Sequence, residues 1–136
     1  MTYYTLQGQQ AKKTYPEVVY ARTNAEFLNK RFGTSYKAWM KCGWKYDHDT
    51  IVWMVPFDGV ERYGWRNRIV DANTVREDYV GLESLKLDGH KRIKEYHRIV
   101  VKKDQGKYTI LGLYRYDFDN SDEKIRRIWI KIRDFV

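Results

Sequence analysis

The sequence predicts an α+β domain: short N-terminal helices followed by a curved antiparallel sheet, closed or nearly closed into a small barrel. Three observations lead there. Helix signals are confined to residues 23–42. β-branched and aromatic runs then recur through residues 50–133, several of them at hairpin spacing. So many hydrophobic strands also need their edges protected, which a closed sheet does.

Residues 1–14 are mostly polar and read as a flexible leader, with a short extended segment around Val18, Val19 and Tyr20. Thr23-Asn24-Ala25-Glu26 has the form of a capping box, in which a Thr hydroxyl and a Glu carboxylate satisfy free amides of the first helical turn. A helix over residues 24–32 follows, stopped by Gly33. Ser35 is placed to cap a second short helix through Tyr36, Trp39 and Met40, closed by Gly43.

Residues 50–57 (TIVWMVPF) form a strand ended by Pro56 and the Asp58-Gly59 turn. Residues 64–71 and 74–80 are two further strands around Ala72-Asn73, and the polar stretch 83–94 is an exposed loop. Residues 96–102 and 107–116 form the clearest hairpin, around the four-residue turn Lys103-Asp104-Gln105-Gly106. In IRRIWIKI (residues 125–132) Ile128, Ile130 and Ile132 alternate with Arg127, Trp129 and Lys131. That period of two predicts a strand with an isoleucine core face and a basic face carrying Trp129. With no repeat or linker, residues 1–136 are expected to form a single domain.

Composition narrows the partner. Aromatic residues make up 16% of the chain, more than a core of this size needs, so some rings are expected at the surface. The formal charge is +8, a field that attracts polyanions, although basicity also serves solubility. Nucleic acid is the expected partner, DNA ahead of RNA. The single cysteine, Cys42, rules out an intrachain disulfide and fits a reducing compartment. Without a secretory signal in residues 1–10 or an apolar run long enough to span a bilayer, the expectation is a cytoplasmic protein without a membrane partner.

Three constellations could carry binding. The first surrounds Gly64 with Arg62, Tyr63, Trp65, Arg66, Asn67 and Arg68. Arginine grips phosphate or guanine with paired hydrogen bonds, indole stacks on any base, and the Asn amide can read a base edge. On a strand, Trp65, Asn67 and Ile69 share one face while Arg66 and Arg68 share the other. Core packing of Trp65 and Ile69 is an equal alternative. The second is Trp53, whose better reading is a core ring, but which a returning strand could bring beside Trp65 at a pocket mouth. The third is the basic run Lys91, Arg92, Lys94, Arg98, Lys102 and Lys103, opposed only by Glu95 for a local charge of +5. Such a run can track a phosphate backbone; it can equally be a charge-guarded edge strand.

Catalytic signals are weak. His48, His90 and His97 are dispersed and no phosphate-cradling Gly-rich loop is present. Glu77, Asp78, Glu83 and Lys86 match no usual metal-nuclease spacing, and Glu77 and Asp78 should face opposite sides of a sheet. The expectation is a non-enzyme that needs no cofactor or metal.

The strands VWMVPF, GWRN, EDYVG, YHRIVV, YTILGLYRYD and IRRIWIKI follow one another in an order that resembles PUA-like barrel modules, the group including SRA, ASCH and EVE domains. The resemblance covers about residues 44–133. The chain is also similar to small modules found beside nuclease domains in bacterial and phage restriction systems. This resemblance implies a curved barrel with a cleft that accepts a base, often modified or flipped, between aromatic side chains. It makes Trp53, Trp65 and Tyr79 pocket candidates and Asn67 an edge reader. The expected function is therefore a nucleic-acid-binding module. The alternative is a phage-type protein-interaction module that inhibits a host nucleic-acid-processing protein, as anti-CRISPR and anti-restriction proteins do.

Overall fold

A computed structural model describes residues 15–81 and 92–136. The expected leader (1–14), most of the expected exposed loop, and Glu83, Lys86, His90 and Lys91 lie outside them.

Thr23 caps α1 (Asn24–Phe32) as the capping box requires, its hydroxyl accepting from the Glu26 amide at 3.1 Å. The Glu26 carboxylate accepts from the Arg22 amide at 2.7 Å, and Gly33 ends the helix at φ 70°. Phe27 and Leu28, both fully buried, tie α1 to the sheet, each contributing about 1.5–3 kcal/mol. The expected second helix does not form. Asn29 instead holds residues 34–36 in an irregular path: its amide donates to the Tyr36 carbonyl, and its Oδ1 accepts from the Tyr36 amide and the Thr34 hydroxyl. Those bonds supply what a helical turn would have offered the backbone.

The strands are β1 (Glu17–Tyr20), β2 (Gly43–Asp47), β3 (Thr50–Val55), β4 (Trp65–Asp71), β5 (Thr74–Tyr79), β6 (His97–Asp104), β7 (Lys107–Tyr116) and β8 (Arg126–Arg133). They form one sheet in the order β2-β3-β6-β7-β8-β5-β4, with β1 added alongside β7. β2 was not expected from sequence. The predicted all-antiparallel sheet is mixed, because β3 and β6 run parallel, joined in register from Thr50–His97 to Val55–Lys102. Nor do hydrogen bonds close it into a barrel: β2 and β4 remain its two edges. The β6–β7 turn is tighter than predicted. Only Gln105 and Gly106 lie between the strands, both with positive φ (42° and 84°), the conformation that matches hairpin twist.

The sheet buries both faces. Val52, Met54, Ile99, Val101, Tyr108 and Ile110 pack with Phe27 and Leu28 of α1. Trp53, Val55, Val75, Val100, Tyr114, Tyr116 and Trp129 form a second core on the other side. This explains the unbroken apolar run of β3, which has no solvent face.

The face assignment of β8 is reversed from expectation. Trp129 is fully buried, whereas Ile132 is 47% exposed and Ile128 and Ile130 are half-buried. Trp129 buries the larger apolar surface, and its indole N–H finds an internal acceptor, so it takes the core and its neighbouring isoleucines turn outward.

Candidate functional site

The two flanks of the curved sheet meet across a cavity of about 530 Å³. Trp53 enters from β3, Trp65 and Asn67 from β4, and Glu77 from β5. Met40 and Cys42 border it from the segment before β2, Arg62 and Tyr63 from the loop before β4, and Lys103 and Gln105 from the β6–β7 hairpin.

Strand register explains which side chains arrive. Trp65 lies opposite Tyr79, and Asn67 opposite Glu77, which in turn faces Arg127 of β8. All of these project to the concave side. Glu77 and Asp78 face opposite sides, as their adjacency on one strand dictates.

Behind the cavity sits a buried polar core that sequence reasoning missed. Arg98 donates to Glu77 Oε1 at 2.9 Å, and the Trp129 indole N–H donates to the same oxygen at 3.0 Å. The Arg98 guanidinium lies 4.4 Å from the Trp53 ring centre and 4.0 Å from that of Trp129, between two aromatic faces. Burial pulls its pKa down, with the Glu77 charge opposing that shift. Asn67 Oδ1 is buried without a hydrogen-bond partner. A buried acceptor left unpaired is costly, and its presence at a cavity marks a place for an incoming donor.

The rim is shaped by the loop between β3 and β4. Asp58 holds Arg62 through two contacts of 2.8 Å, and Arg62 keeps the Asp58 carboxyl well below its usual range. Gly64 adopts φ 89°, and a Cβ there would fall 2.3 Å from the Tyr79 ring, so only glycine lets the loop pass. Tyr63 stands 99% exposed beside it.

The candidates from the sequence are therefore divided. Trp53, Arg62, Trp65, Asn67 and Lys103 border one cavity. Tyr79 does not border it; its ring meets Trp65 edge-on at 5.4 Å and supports that indole from behind. Arg66 and Arg68 project from the opposite face of β4, with Tyr79's neighbour Asp78. The basic run does not form one continuous strip. Arg98 turns inward, Arg92 and Lys94 line a different hollow with Ile93 and Glu95, Lys102 sits beside Phe57, and Lys91 is outside the described residues.

No family model matches the chain, and no curated protein does either. A solved restriction enzyme does. The chain is similar to the 5-hydroxymethylcytosine-specific restriction enzyme AbaSI, with a TM-score of 0.62 and 28% sequence identity over 86% of this chain. The match spans 38% of the AbaSI chain, so the likeness is to a part of that enzyme. The aromatic and polar cavity described above therefore belongs to a fold that also occurs within a restriction enzyme.

Proposed function

We propose that this chain is a non-catalytic DNA-recognition module whose cavity receives one base lifted out of a duplex. The observation that carries the reading is an unsatisfied acceptor, Asn67 Oδ1, beside the Glu77 carboxylate and between indoles from both flanks of the same cavity. A flat ligand stacks on indole, and an unpaired acceptor selects a ligand that presents a donor. Among pyrimidines, cytosine offers an amino group on its pairing edge; thymine presents there a carbonyl that the Asn67 oxygen would repel. At about 530 Å³ the cavity has space for a nucleobase carrying a substituent. The likeness to AbaSI supports a modified cytosine as the base read, and it agrees with the PUA-like, SRA-type resemblance of the sequence. Extruding a base costs a few kcal/mol, which stacking between the indoles and the acceptor contacts would offset.

The test is equilibrium binding to one duplex sequence carrying cytosine, 5-methylcytosine or 5-hydroxymethylcytosine at a single position. A 2-aminopurine beside that position reports unstacking. Preference for a modified cytosine, with a fluorescence rise, is expected. Asn67→Ala should reduce the preference by about 1–3 kcal/mol, the usual size of one base-edge contact. Cys42, the sole cysteine, borders the cavity, so a bound duplex should slow its alkylation. Equal affinity for all three duplexes, with no fluorescence change and unaltered alkylation, would reject the reading.

A further inference from the structure

The convex side of β4, β5 and β8 carries a charge pattern that the cavity does not use. Register sets Arg66 and Arg126 on either side of Asp78, and sets Arg68 directly opposite Arg76. Asp78 pairs with Arg76 at 3.0 Å and with Arg68 at 3.8 Å. Among the described residues, the side chains of Arg66 and Arg126 have no ion-pair partner. Four guanidiniums thus surround one carboxylate, and Arg66, Arg68 and Arg126 line a groove of about 390 Å³.

Such a pattern is unfavourable in isolation. Like charges directly opposed across a ladder destabilise a sheet, and one shared carboxylate offsets only part of that repulsion. An anion in the groove would remove the cost. Arginine is also the side chain that grips phosphate with two parallel bonds. Arg66 and Arg68 lie two residues apart on an extended strand, roughly 6.7 Å along it, which suits successive phosphates of one nucleic-acid strand.

We infer that this groove is a second nucleic-acid contact, a phosphodiester-binding site on the face opposite the cavity. Arg66, Arg68 and Arg126 engage the backbone, and Asp78 keeps Arg76 and Arg68 oriented. The site needs no particular base, so it adds affinity for any duplex and leaves selectivity to the cavity. Because β4 is an edge strand, the two sites lie on opposite sides of one exposed edge.

The experiment measures binding of an unmodified DNA duplex across a series of salt concentrations. It compares the full chain with Arg66→Ala/Arg126→Ala, Arg66→Lys/Arg126→Lys and Asn67→Ala. The double alanine variant should weaken binding by about tenfold or more per arginine and lower the slope of log affinity against log salt by about 2. It should weaken modified and unmodified duplexes by the same factor. The lysine variant, which keeps the charge, should retain most of the slope and also controls for folding. Asn67→Ala should change only the ratio between modified and unmodified duplexes. Unchanged affinity and slope in the double alanine variant would overturn the inference. So would retained duplex binding alongside lost binding to an acidic protein, which would make the groove a protein contact. Unchanged affinity and slope in the double alanine variant, together with a base preference lost in Asn67→Ala, would leave the cavity reading standing while the groove falls.

Discussion

At the scale of single residues, Arg98 is the side chain on which the concave face depends. It is 11% exposed, sits between two indoles, and neutralises a Glu77 side chain that is 9% exposed. Removing one partner of a buried pair leaves the other charge without compensation, so Arg98→Ala should lower stability by about 3–5 kcal/mol in urea denaturation. Arg98→Lys should lose less, because it keeps the charge while giving up the planar stacking. Tyr108 poses a smaller version of the same problem. Its hydroxyl donates to Asn24 Oδ1 at 2.7 Å in a buried setting, so Tyr108→Phe should cost about 1–3 kcal/mol by leaving that oxygen unpaired. Arg98 could be read from sequence as basic but not as buried, since a strand of alternating faces does not say which face meets two tryptophans.

At the scale of elements, the strongest constraint lies where β7 passes β8. Gly112 has φ 141°, and a Cβ there would sit 2.4 Å from the Arg133 carbonyl oxygen, a backbone atom that cannot swing aside. Gly112→Ala should therefore destabilise the chain by about 1–3 kcal/mol and increase hydrogen exchange at the ends of β7 and β8. The same pair of strands holds the reversal of β8. Period two in IRRIWIKI identified a strand but pointed to the isoleucine face as the inward one, and the structure buries the other. Trp129 decides it through an acceptor supplied by β5, far away in the chain. α1 stands at the other extreme. Its cap, its stop and its buried Phe27 and Leu28 are all local features, and they form where the sequence placed them.

At the scale of the whole molecule, two tyrosines link the fold to pH. Burial pushes both Tyr108 and Tyr114 up to about 12. In the unfolded chain a tyrosine titrates near about 10, so the folded state holds these protons more tightly. Their contribution to stability is full below about pH 10 and is lost as pH rises from there towards 12. The thermal midpoint should fall over that interval, followed by circular dichroism, and Tyr114→Phe should make the decline shallower. A midpoint independent of pH up to 12 would contradict this account.

By itself the sequence determined the helix and nearly every strand after residue 50, because caps, turns and period-two alternation act between near neighbours. It also determined that Trp65 and Asn67 leave β4 on the side away from Arg66 and Arg68. Only the tertiary structure decided that β3 pairs in parallel with β6, that the sheet stays open, and that the flanks of its curve share one cavity. It alone placed Glu77 there, held by Arg98 and Trp129, and separated the basic residues onto different surfaces. Those outcomes rest on contacts between residues distant in the chain, where competing burials of Trp53, Trp129 and Arg98 are settled together and no local pattern records the result.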